Sequence, residues 1–283
     1  MILDSKFVFF GNTNFSAIVL NSLVKGGYSP ALVVCNPDRP TGRKKILTSS
    51  PVKKLVLDLK LPLYQPEILD DDAFQTLRSQ TCDFFVLADY GKIFPKEVLQ
   101  IPALGTIGVH VSFLPRYRGA SPMQSAILNG EQETAVTLYL LDEKLDHGPI
   151  LAVHKFPLDR LTFLELQRQS AILSGNLLME TIPKFLRGGI EPTTQDESQA
   201  TYTRKFTTED GFVDHDLLKI AQEKGGATAV EIDRKIRALT PEPGVWTIKN
   251  GKRMKLLEAE IRDGKLILKK MQNEGEKPKS QSF

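Results

Sequence analysis

Apolar runs alternate with amphipathic, helix-like stretches along the first half of the chain. The runs are short and almost continuously apolar, and they span residues 7–10, 31–35, 83–88, 106–112 and 135–141. Helix-like stretches separate them at residues 15–25, 51–60 and 122–129. Continuous apolar strands separated by helices are typical of a parallel sheet that is covered by helices. The pattern therefore predicts an α/β fold with a mostly parallel sheet.

The second half of the chain predicts a different organisation. A hairpin-like segment at residues 150–158 precedes a long helix at residues 162–187, which Gly188 and Gly189 end. Residues 190–203 are polar and aperiodic, as expected of a surface linker. A small β-barrel should follow, with a helix and three strands at residues 228–239, 245–248, 253–261 and 266–271. We therefore predict one domain at residues 1–189 and a second at residues 204–283.

The composition is that of an ordinary globular protein. With 283 residues, of which 41% are hydrophobic and 25% charged, the chain is long enough for two domains. The sequence lacks a leader pattern, and no apolar run approaches the roughly 18 residues of a membrane-spanning helix. Cys35 and Cys82 lie far apart in the sequence, so reduced thiols are expected. These features predict a cytoplasmic protein without a membrane segment.

The charge is unevenly distributed. The net charge is +3, and residues 203–283 hold 17 Lys and Arg against 13 Asp and Glu, so the excess lies near the C-terminus. A weakly basic second domain suggests contact with a polyanion such as nucleic acid. A solvated face of mixed charge is the more common explanation for an excess of this size.

Several reaction classes are disfavoured. The segment from Gly11 to Phe15, after the first predicted strand, lacks the G-x-G-x-x-G spacing of a dinucleotide site. The sequence also lacks a phosphate-binding loop of the Walker type and a Cys/His cluster with zinc spacing. Neither a dinucleotide cofactor nor a metal is therefore expected.

The candidate chemistry lies at the end of the strand predicted at residues 106–112. Open parallel sheets bind their ligands at the carboxyl ends of the strands. Residues two apart on a strand share a face, so Gly108, His110 and Ser112 should point the same way. Pro115 and Gly119 force a loop after them. A lone histidine is usually structural, but the place of His110 before this loop favours a functional role.

Three carboxylates follow the next predicted strand. One of Asp142, Glu143 and Asp146 is expected to orient His110 and to stabilise its imidazolium form. The spacing does not choose among them, and solvated turn acids are the alternative.

These segments resemble the folate-dependent formyltransferases, whose pattern is Asn-x-His followed by Ser-Leu-Leu-Pro, Arg-Gly and Leu-Asp-x-Gly. The corresponding residues here are Gly108-Val-His110, Ser112-Phe-Leu-Pro115, Arg118-Gly119 and Leu145-Asp-His-Gly148. Five other segments are similar to the methionyl-tRNA branch in particular, at residues 36–43, 47–53, 89–95, 237–244 and 272–278. The resemblance runs from the first strand nearly to the C-terminus.

The resemblance implies transfer of a formyl group from 10-formyltetrahydrofolate to the free amine of initiator methionyl-tRNA. It implies a Rossmann-like formyltransferase domain and an OB-like C-terminal barrel that contacts tRNA. It makes His110 the proton-transfer residue and Asp146 its supporting carboxylate. The folate-binding residues that it implies are Ser112, Phe113, Leu114, Pro115, Asp89, Tyr90 and Gly91. We expect the protein to act as a monomer.

Basic residues are the expected contacts for the phosphates of tRNA. One group follows the second predicted strand and consists of Arg39, Arg43, Lys44 and Lys45. A second group begins with Arg204 and Lys205 and continues with Lys252, Arg253 and Lys255. Taken singly, each of these side chains is more commonly just solvated.

The chain departs from the family pattern at Gly108. Attack of an amine on a formyl carbon creates an oxyanion, to which the asparagine of the pattern would donate a hydrogen bond. Loss of one such donor typically costs on the order of 10²–10³ in rate. The glycine should leave a space that water can enter, and Gly108→Asn should raise the rate. A slow enzyme, a natural pseudoenzyme and an engineered inactive variant are all compatible with this residue.

Two other functions stay open. A sugar-nucleotide N-formyltransferase would share the catalytic residues, but residues 237–244 and the basic C-terminal domain favour tRNA. A non-catalytic protein that binds folate or charged tRNA would explain Gly108. The presence of both His110 and Asp146 argues against it.

Overall fold

The structure is a computed structural model that describes residues 5–42 and 45–280. Its strands are β1 (Phe7–Gly11), β2 (Leu32–Val34), β3 (Arg39–Thr41), β4 (Ile46–Thr48), β5 (Leu63–Tyr64), β6 (Phe84–Ala88), β7 (Thr106–His110), β8 (Arg118–Gly119), β9 (Glu133–Leu140), β10 (Ile150–Pro157), β11 (Tyr202–Thr203), β12 (Val245–Lys249), β13 (Lys252–Arg262), β14 (Lys265–Asn273) and β15 (Lys279–Ser280). Its α-helices are α1 (Asn14–Lys25), α2 (Pro51–Asp58), α3 (Asp71–Ser79), α4 (Lys96–Leu99), α5 (Pro122–Asn129), α6 (Phe163–Leu186), α7 (His215–Glu223) and α8 (Ala227–Leu239). Short 3-10 turns occupy Glu197–Gln199 and Glu209–Gly211.

The main sheet has the strand order β10-β9-β7-β6-β1-β2-β5. Strand β1 pairs in parallel with β2 and β6, and the same direction continues through β5 on one side and β7 on the other. Strand β9 joins β7 antiparallel. The predicted mostly parallel α/β sheet is therefore confirmed. The chain reverses its direction of winding between β1 and β6, which is the kind of point where open sheets bind ligands.

The central strands are apolar on both faces. All five residues of β1 are buried, and so are Phe84, Phe85 and Val86 of β6. A strand in which apolar and polar residues alternate has one face in water. These strands are apolar on both faces, so other elements must cover both faces. The core lies around β1 and β6 and holds their carboxyl ends in fixed positions.

The helix starts follow local capping chemistry. Thr13 and Ser16 form a capping box at the start of α1, and Ser50 caps α2, which has Pro51 at its first position. Asp70 caps α3, which the sequence pattern did not predict. Only Ala73 and Leu77 of α3 are buried, so its apolar signal is short. The hairpin of β3 and β4, α4 and α7 were also not predicted.

Contacts along the chain divide it into two compact units. The first unit contains the described residues up to Arg118, together with Ala135–Lys155 and Gln167–Thr201. The second contains Gly119–Thr134, Phe156–Leu166 and the described residues from Tyr202 onward. In the second unit β12, β13, β14 and β15 form an antiparallel sheet in chain order, which α7 and α8 contact. The strands that the pattern predicted in the C-terminal part of the chain are therefore confirmed, as an antiparallel sheet.

Among the helices of the described residues, none combines the length and the hydropathy that a membrane crossing requires.

Candidate active site

The loop after β7 carries the residues that the sequence singled out. The strand ends at His110, two residues earlier than predicted, so Ser112 does not continue the alternation of Gly108 and His110. The chain turns there because Ser112 forms one hydrogen bond within the loop and another to the neighbouring strand β9. The hydroxyl of Ser112 donates to the carbonyl of Arg116 (2.6 Å), and its carbonyl accepts from the hydroxyl of Thr137 (2.6 Å).

The surroundings of His110 define the roles of both ring nitrogens. His110 is 7% exposed, and its Nε2 lies 2.8 Å from the carbonyl oxygen of Tyr117. A carbonyl oxygen only accepts hydrogen bonds, so Nε2 carries a proton and donates. Nδ1 faces Oδ2 of Asp146 at 3.7 Å. Of the three carboxylates that the sequence left open, the structure therefore brings Asp146 to His110.

The other two carboxylates have different partners. Asp142 lies 2.5 Å from Nδ1 of His147, and Glu143 forms an exposed ion pair with Lys96 (2.8 Å).

The loop between β9 and β10 holds Asp146 by backbone contacts. Asp146 has φ 48°, a left-handed conformation that aspartate adopts more readily than most residues. The side-chain amide of Gln195 donates to the carbonyls of Asp146 (3.0 Å) and Gly148 (2.8 Å). Position 148 accepts only glycine, because a Cβ would collide with the carbonyl oxygen of Leu140. These contacts fix the carboxylate of Asp146 relative to β7.

A buried guanidinium anchors Gln195 in turn. Arg118 is fully buried, and its Nε and one terminal nitrogen donate to Oε1 of Gln195 at 3.1 and 2.8 Å. Both terminal nitrogens also donate to the carboxylate of Glu197, at 3.1 and 2.6 Å. Sequence reasoning missed Gln195 and Glu197, because they lie in the aperiodic segment 190–203. The one sequence feature that could have pointed to them was Arg118, since an arginine that becomes buried requires hydrogen-bond partners.

Tyr139 occupies the space beside Gly108. A Cβ added to Gly108 would lie 2.6 and 2.7 Å from two ring carbons of Tyr139 and even closer to Leu141. The expectation of a water-filled space at this position is therefore wrong. The hydroxyl of Tyr139 lies 2.6 Å from Oδ1 of Asp146. Burial, reinforced by the Asp146 carboxylate, raises the pKa of Tyr139 well above its usual value.

The loop residues implied as folate contacts differ in exposure. Phe113 is 42% exposed, with the ammonium group of Lys155 4.1 Å from its ring centre, and Pro115 is half-buried. Leu114 and Ser112 are buried. A ligand in this loop would therefore meet mainly Phe113, Pro115 and the backbone.

The residues implied after β6 differ in the same way. Asp89 is exposed and accepts a hydrogen bond from Thr13 (2.7 Å), which joins the ends of β6 and β1. Gly91 is exposed with φ 80°. The ring of Tyr90 instead packs in the core against Phe10 and Phe94, so only its backbone can meet a ligand.

Of the basic residues after β2, Arg39 lies on β3 and Lys45 lies at the turn before β4, in a two-stranded hairpin. Arg39 forms an exposed ion pair with Glu67, and Lys45 is exposed at the turn. Arg43 and Lys44 lie outside the described residues. The hairpin follows β2, so it starts from the carboxyl edge of the sheet.

The second basic group lies in the second compact unit. Lys205 is exposed, whereas Arg204 forms an ion pair with Asp210 (2.5 Å). Arg253 lies over the ring of Trp246, with 4.1 Å from its guanidinium carbon to the ring centre. Lys252 and Lys255 are exposed on β13.

The His, Cys, Asp and Glu side chains show how far metal ligation and thiol pairing are possible. Within residues 5–42 and 45–280, no three His, Cys, Asp or Glu side chains are grouped so that they could hold a metal ion. Cys35 is buried, Cys82 is half-buried, and both are free thiols.

Comparison with known families gives two matches in this chain. The sequence model of the formyl transferase family matches residues 5–182, and that of the formyl transferase C-terminal domain matches residues 226–278. The first match alone spans more than half of the chain, and it contains His110 and Asp146.

Individual relatives agree with these matches. The methionyl-tRNA formyltransferase of Dictyoglomus turgidum is 37% identical over 267 residues, which are 91% of this chain and 80% of the relative. The structure of the methionyl-tRNA formyltransferase from Clostridium thermocellum has a TM-score of 0.60 at 17% identity, covering 95% of this chain and 98% of that one. The N-formyltransferase from Helicobacter canadensis, in complex with folinic acid and dTDP-3-aminofucose, has a TM-score of 0.63 at 18% identity, covering 99% and 100%.

Proposed function

Because this chain belongs to the methionyl-tRNA formyltransferase family, we propose that it transfers the formyl group of 10-formyltetrahydrofolate to the free amine of initiator methionyl-tRNA. The observation that carries the proposal is the pairing of His110 with Asp146 at the carboxyl edge of the sheet. One ring nitrogen of His110 is held by a backbone carbonyl, and the other faces a carboxylate at 3.7 Å. A histidine in this arrangement can accept and release one proton.

The first step would form a bond between the methionyl nitrogen and the formyl carbon. The nitrogen becomes positive and the formyl oxygen negative, so the attacking amine must lose a proton. His110 would accept that proton at Nδ1, since Nε2 already holds one. The Asp146 carboxylate would then stabilise the imidazolium.

The second step would break the bond between the formyl carbon and N10 of the folate. The departing nitrogen needs a proton, and the imidazolium of His110 can return the one that it took. The products are formyl-methionyl-tRNA and tetrahydrofolate, and His110 is neutral again. One histidine can therefore act as general base and then as general acid.

The oxyanion is the reacting group that this site stabilises least. Gly108 has no side chain to donate a hydrogen bond, and Tyr139 already donates to Asp146. We therefore expect a rate lower by on the order of 10²–10³ than in a relative that has the asparagine. The reaction should be slowed rather than abolished, because proton transfer does not depend on that donor.

The folate and tRNA contacts are part of the proposal. Folinic acid in the Helicobacter canadensis N-formyltransferase supports a folate site in a protein of this fold. For this chain we propose Phe113, Pro115, Asp89 and the backbone of Gly91 as its contacts. The hairpin residues Arg39 and Lys45 and the domain at residues 204–283 would meet tRNA phosphates.

We also propose where the protein acts and in what state. The cytoplasm is its expected compartment, because charged initiator tRNA is used there in bacteria. We propose that it acts as a monomer.

Acceptor preference tests this proposal. Labelled 10-formyltetrahydrofolate would be incubated with the protein and, separately, with methionyl-tRNA, with a dTDP-linked amino sugar and without an acceptor. We expect label in formyl-methionyl-tRNA only. Formylation of the amino sugar alone would replace the tRNA substrate with a sugar nucleotide. Folate binding without transfer to either acceptor would instead indicate a non-catalytic binding protein.

A further inference from the structure

Gly108 and Tyr139 form a directly opposed pair between β7 and β9. Opposed residues of antiparallel strands project on the same face, so an aromatic ring can cover the bare backbone of a glycine. The ring does so here, since a Cβ at Gly108 would lie only 2.6 Å from Cε1 of Tyr139. Glycine within a strand often marks such a close approach. The ring thus fills the volume that an asparagine side chain would need.

The hydroxyl of Tyr139 reaches the proton-transfer pair. It lies 2.6 Å from Oδ1 of Asp146, while Oδ2 of the same carboxylate faces Nδ1 of His110. A carboxylate only accepts, so the hydroxyl is the donor. Burial and the neighbouring carboxylate raise the pKa of Tyr139, so the hydroxyl keeps its proton at neutral pH. One oxygen of Asp146 is therefore fixed by Tyr139, and the other is directed at His110.

We propose that Tyr139 is a positioning residue that orients Asp146 toward His110, and that its ring takes the place of the side chain absent at Gly108. This inference rests on the proposed function, because the orientation of Asp146 matters only if His110 transfers protons. It also reverses an expectation from the sequence. Asparagine at position 108 has no room while the ring is present, so Gly108→Asn alone should not raise the rate.

A kinetic cycle tests the positioning role. Tyr139→Phe keeps the ring and removes the hydroxyl, so kcat should fall about tenfold to a hundredfold, the range for one hydrogen bond to a charged group. The KM values for folate and for tRNA should not change, because Tyr139 touches neither in this account. In an Asp146→Asn background, Tyr139→Phe should cause no further loss. Full kcat in Tyr139→Phe, or losses that multiply in the double variant, would overturn the role.

A stability cycle tests the packing role without any activity measurement. Gly108→Asn should lower the thermal midpoint by on the order of 5 °C, because it overpacks the site. In a Tyr139→Ala background the same change should cost clearly less, since the ring is gone and only the end of the Leu141 side chain still lies close to position 108. Equal losses in both backgrounds would refute the packing role. Should Gly108→Asn fail to fold, the smaller Gly108→Ala completes the same cycle.

The two cycles separate this inference from the proposed function. If the unmodified chain transfers no formyl group to tRNA, the proposed function fails, while the stability cycle still decides whether Tyr139 fills the place at Gly108.

Discussion

His110 is constrained at both ring nitrogens, and this constraint determines what it can do. Its Nε2 donates to the carbonyl of Tyr117, so the ring cannot turn without losing a hydrogen bond in a site that is almost closed to water. Only Nδ1 is then able to exchange a proton, and Asp146 lies on that side. The residue is therefore preorganised for one direction of proton transfer.

Replacement of this histidine should remove the chemistry and leave binding intact. We expect His110→Ala to lower kcat by about 10²–10⁴, the usual contribution of a general acid or base, with little change in either KM. Steady-state formyl transfer measures both quantities. His154 is the matched control, since it is exposed on β10, and His154→Ala should keep full activity. Equal activity of the two variants would contradict the role of His110.

The reactivity of the Cys82 thiol should depend on pH in a way that differs from that of an exposed cysteine. Burial raises the pKa of Cys82 to about 11, so the thiol stays neutral at pH 8. Alkylation by iodoacetamide, followed by mass spectrometry in a Cys35→Ala background, should be slow at pH 8 and should rise towards pH 11. A rate that levels off near pH 9, as for an ordinary thiol of pKa about 8.5, would contradict it.

The same shift affects stability with a defined sign. The folded state has the higher pKa, so it disfavours the thiolate more than the unfolded chain does. The stability contributed by the neutral thiol is present below about pH 9 and is lost as the pH rises towards 11. The thermal midpoint of a Cys82→Ala variant should therefore fall less over this range.

At the scale of elements, residues 190–203 form part of the site although they lack helical or strand periodicity. Thr193 forms a β-bridge with Ile150, and Gln195 is buried between Arg118 and the loop that carries Asp146. The segment is fixed by polar contacts instead of an apolar face. Such contacts leave no periodic signal in a sequence.

Removal of Gln195 should loosen that loop. Gln195→Leu leaves buried Arg118 short of an acceptor and frees two carbonyls, so the free energy of unfolding should fall by about 2–3 kcal/mol. Urea unfolding measures the change, and kcat should fall with it. Gln199→Leu is the matched control, because Gln199 is exposed in the same segment. An equal effect of both variants would contradict the account.

The hairpin of β3 and β4 should contribute to the binding of tRNA and not to the binding of folate. The double change Arg39→Glu and Lys45→Glu removes two phosphate contacts, so KM for tRNA should rise. The slope of the logarithm of tRNA affinity against the logarithm of salt concentration should fall in magnitude by about 2. KM for folate should not change. Lys25→Glu serves as control, since Lys25 ends α1 at the opposite edge of the sheet. An unchanged salt slope in the double variant would exclude the hairpin from the tRNA interface.

At the scale of the molecule, the sequence predicts the sheet better than the elements around it. Strands β1, β6 and β7 have long apolar runs because both of their faces are covered, and that signal is strong. Helices α3 and α7 begin with aspartate caps, and each buries only two residues, so their periodic signal is weak. Paired positions such as Gly108 and Tyr139 are 31 residues apart in sequence and become neighbours only through strand register.

The sequence also predicted only part of the site. His110 and Asp146 come from short motifs, and the structure brings them together. Gln195 and Tyr139 have no motif, because their roles depend on contacts between distant segments. Gly108 shows the limit most clearly, since the sequence predicted a space there and the fold fills it.

The most direct test of the central claim is a single turnover of formyl transfer, with the protein in excess and loaded with labelled 10-formyltetrahydrofolate before methionyl-tRNA is added. With the unmodified protein, label should reach the methionyl amine of the tRNA at a rate at least about 10²-fold above that of His110→Ala. Folate that stays bound while no label reaches the tRNA above the His110→Ala level would contradict it.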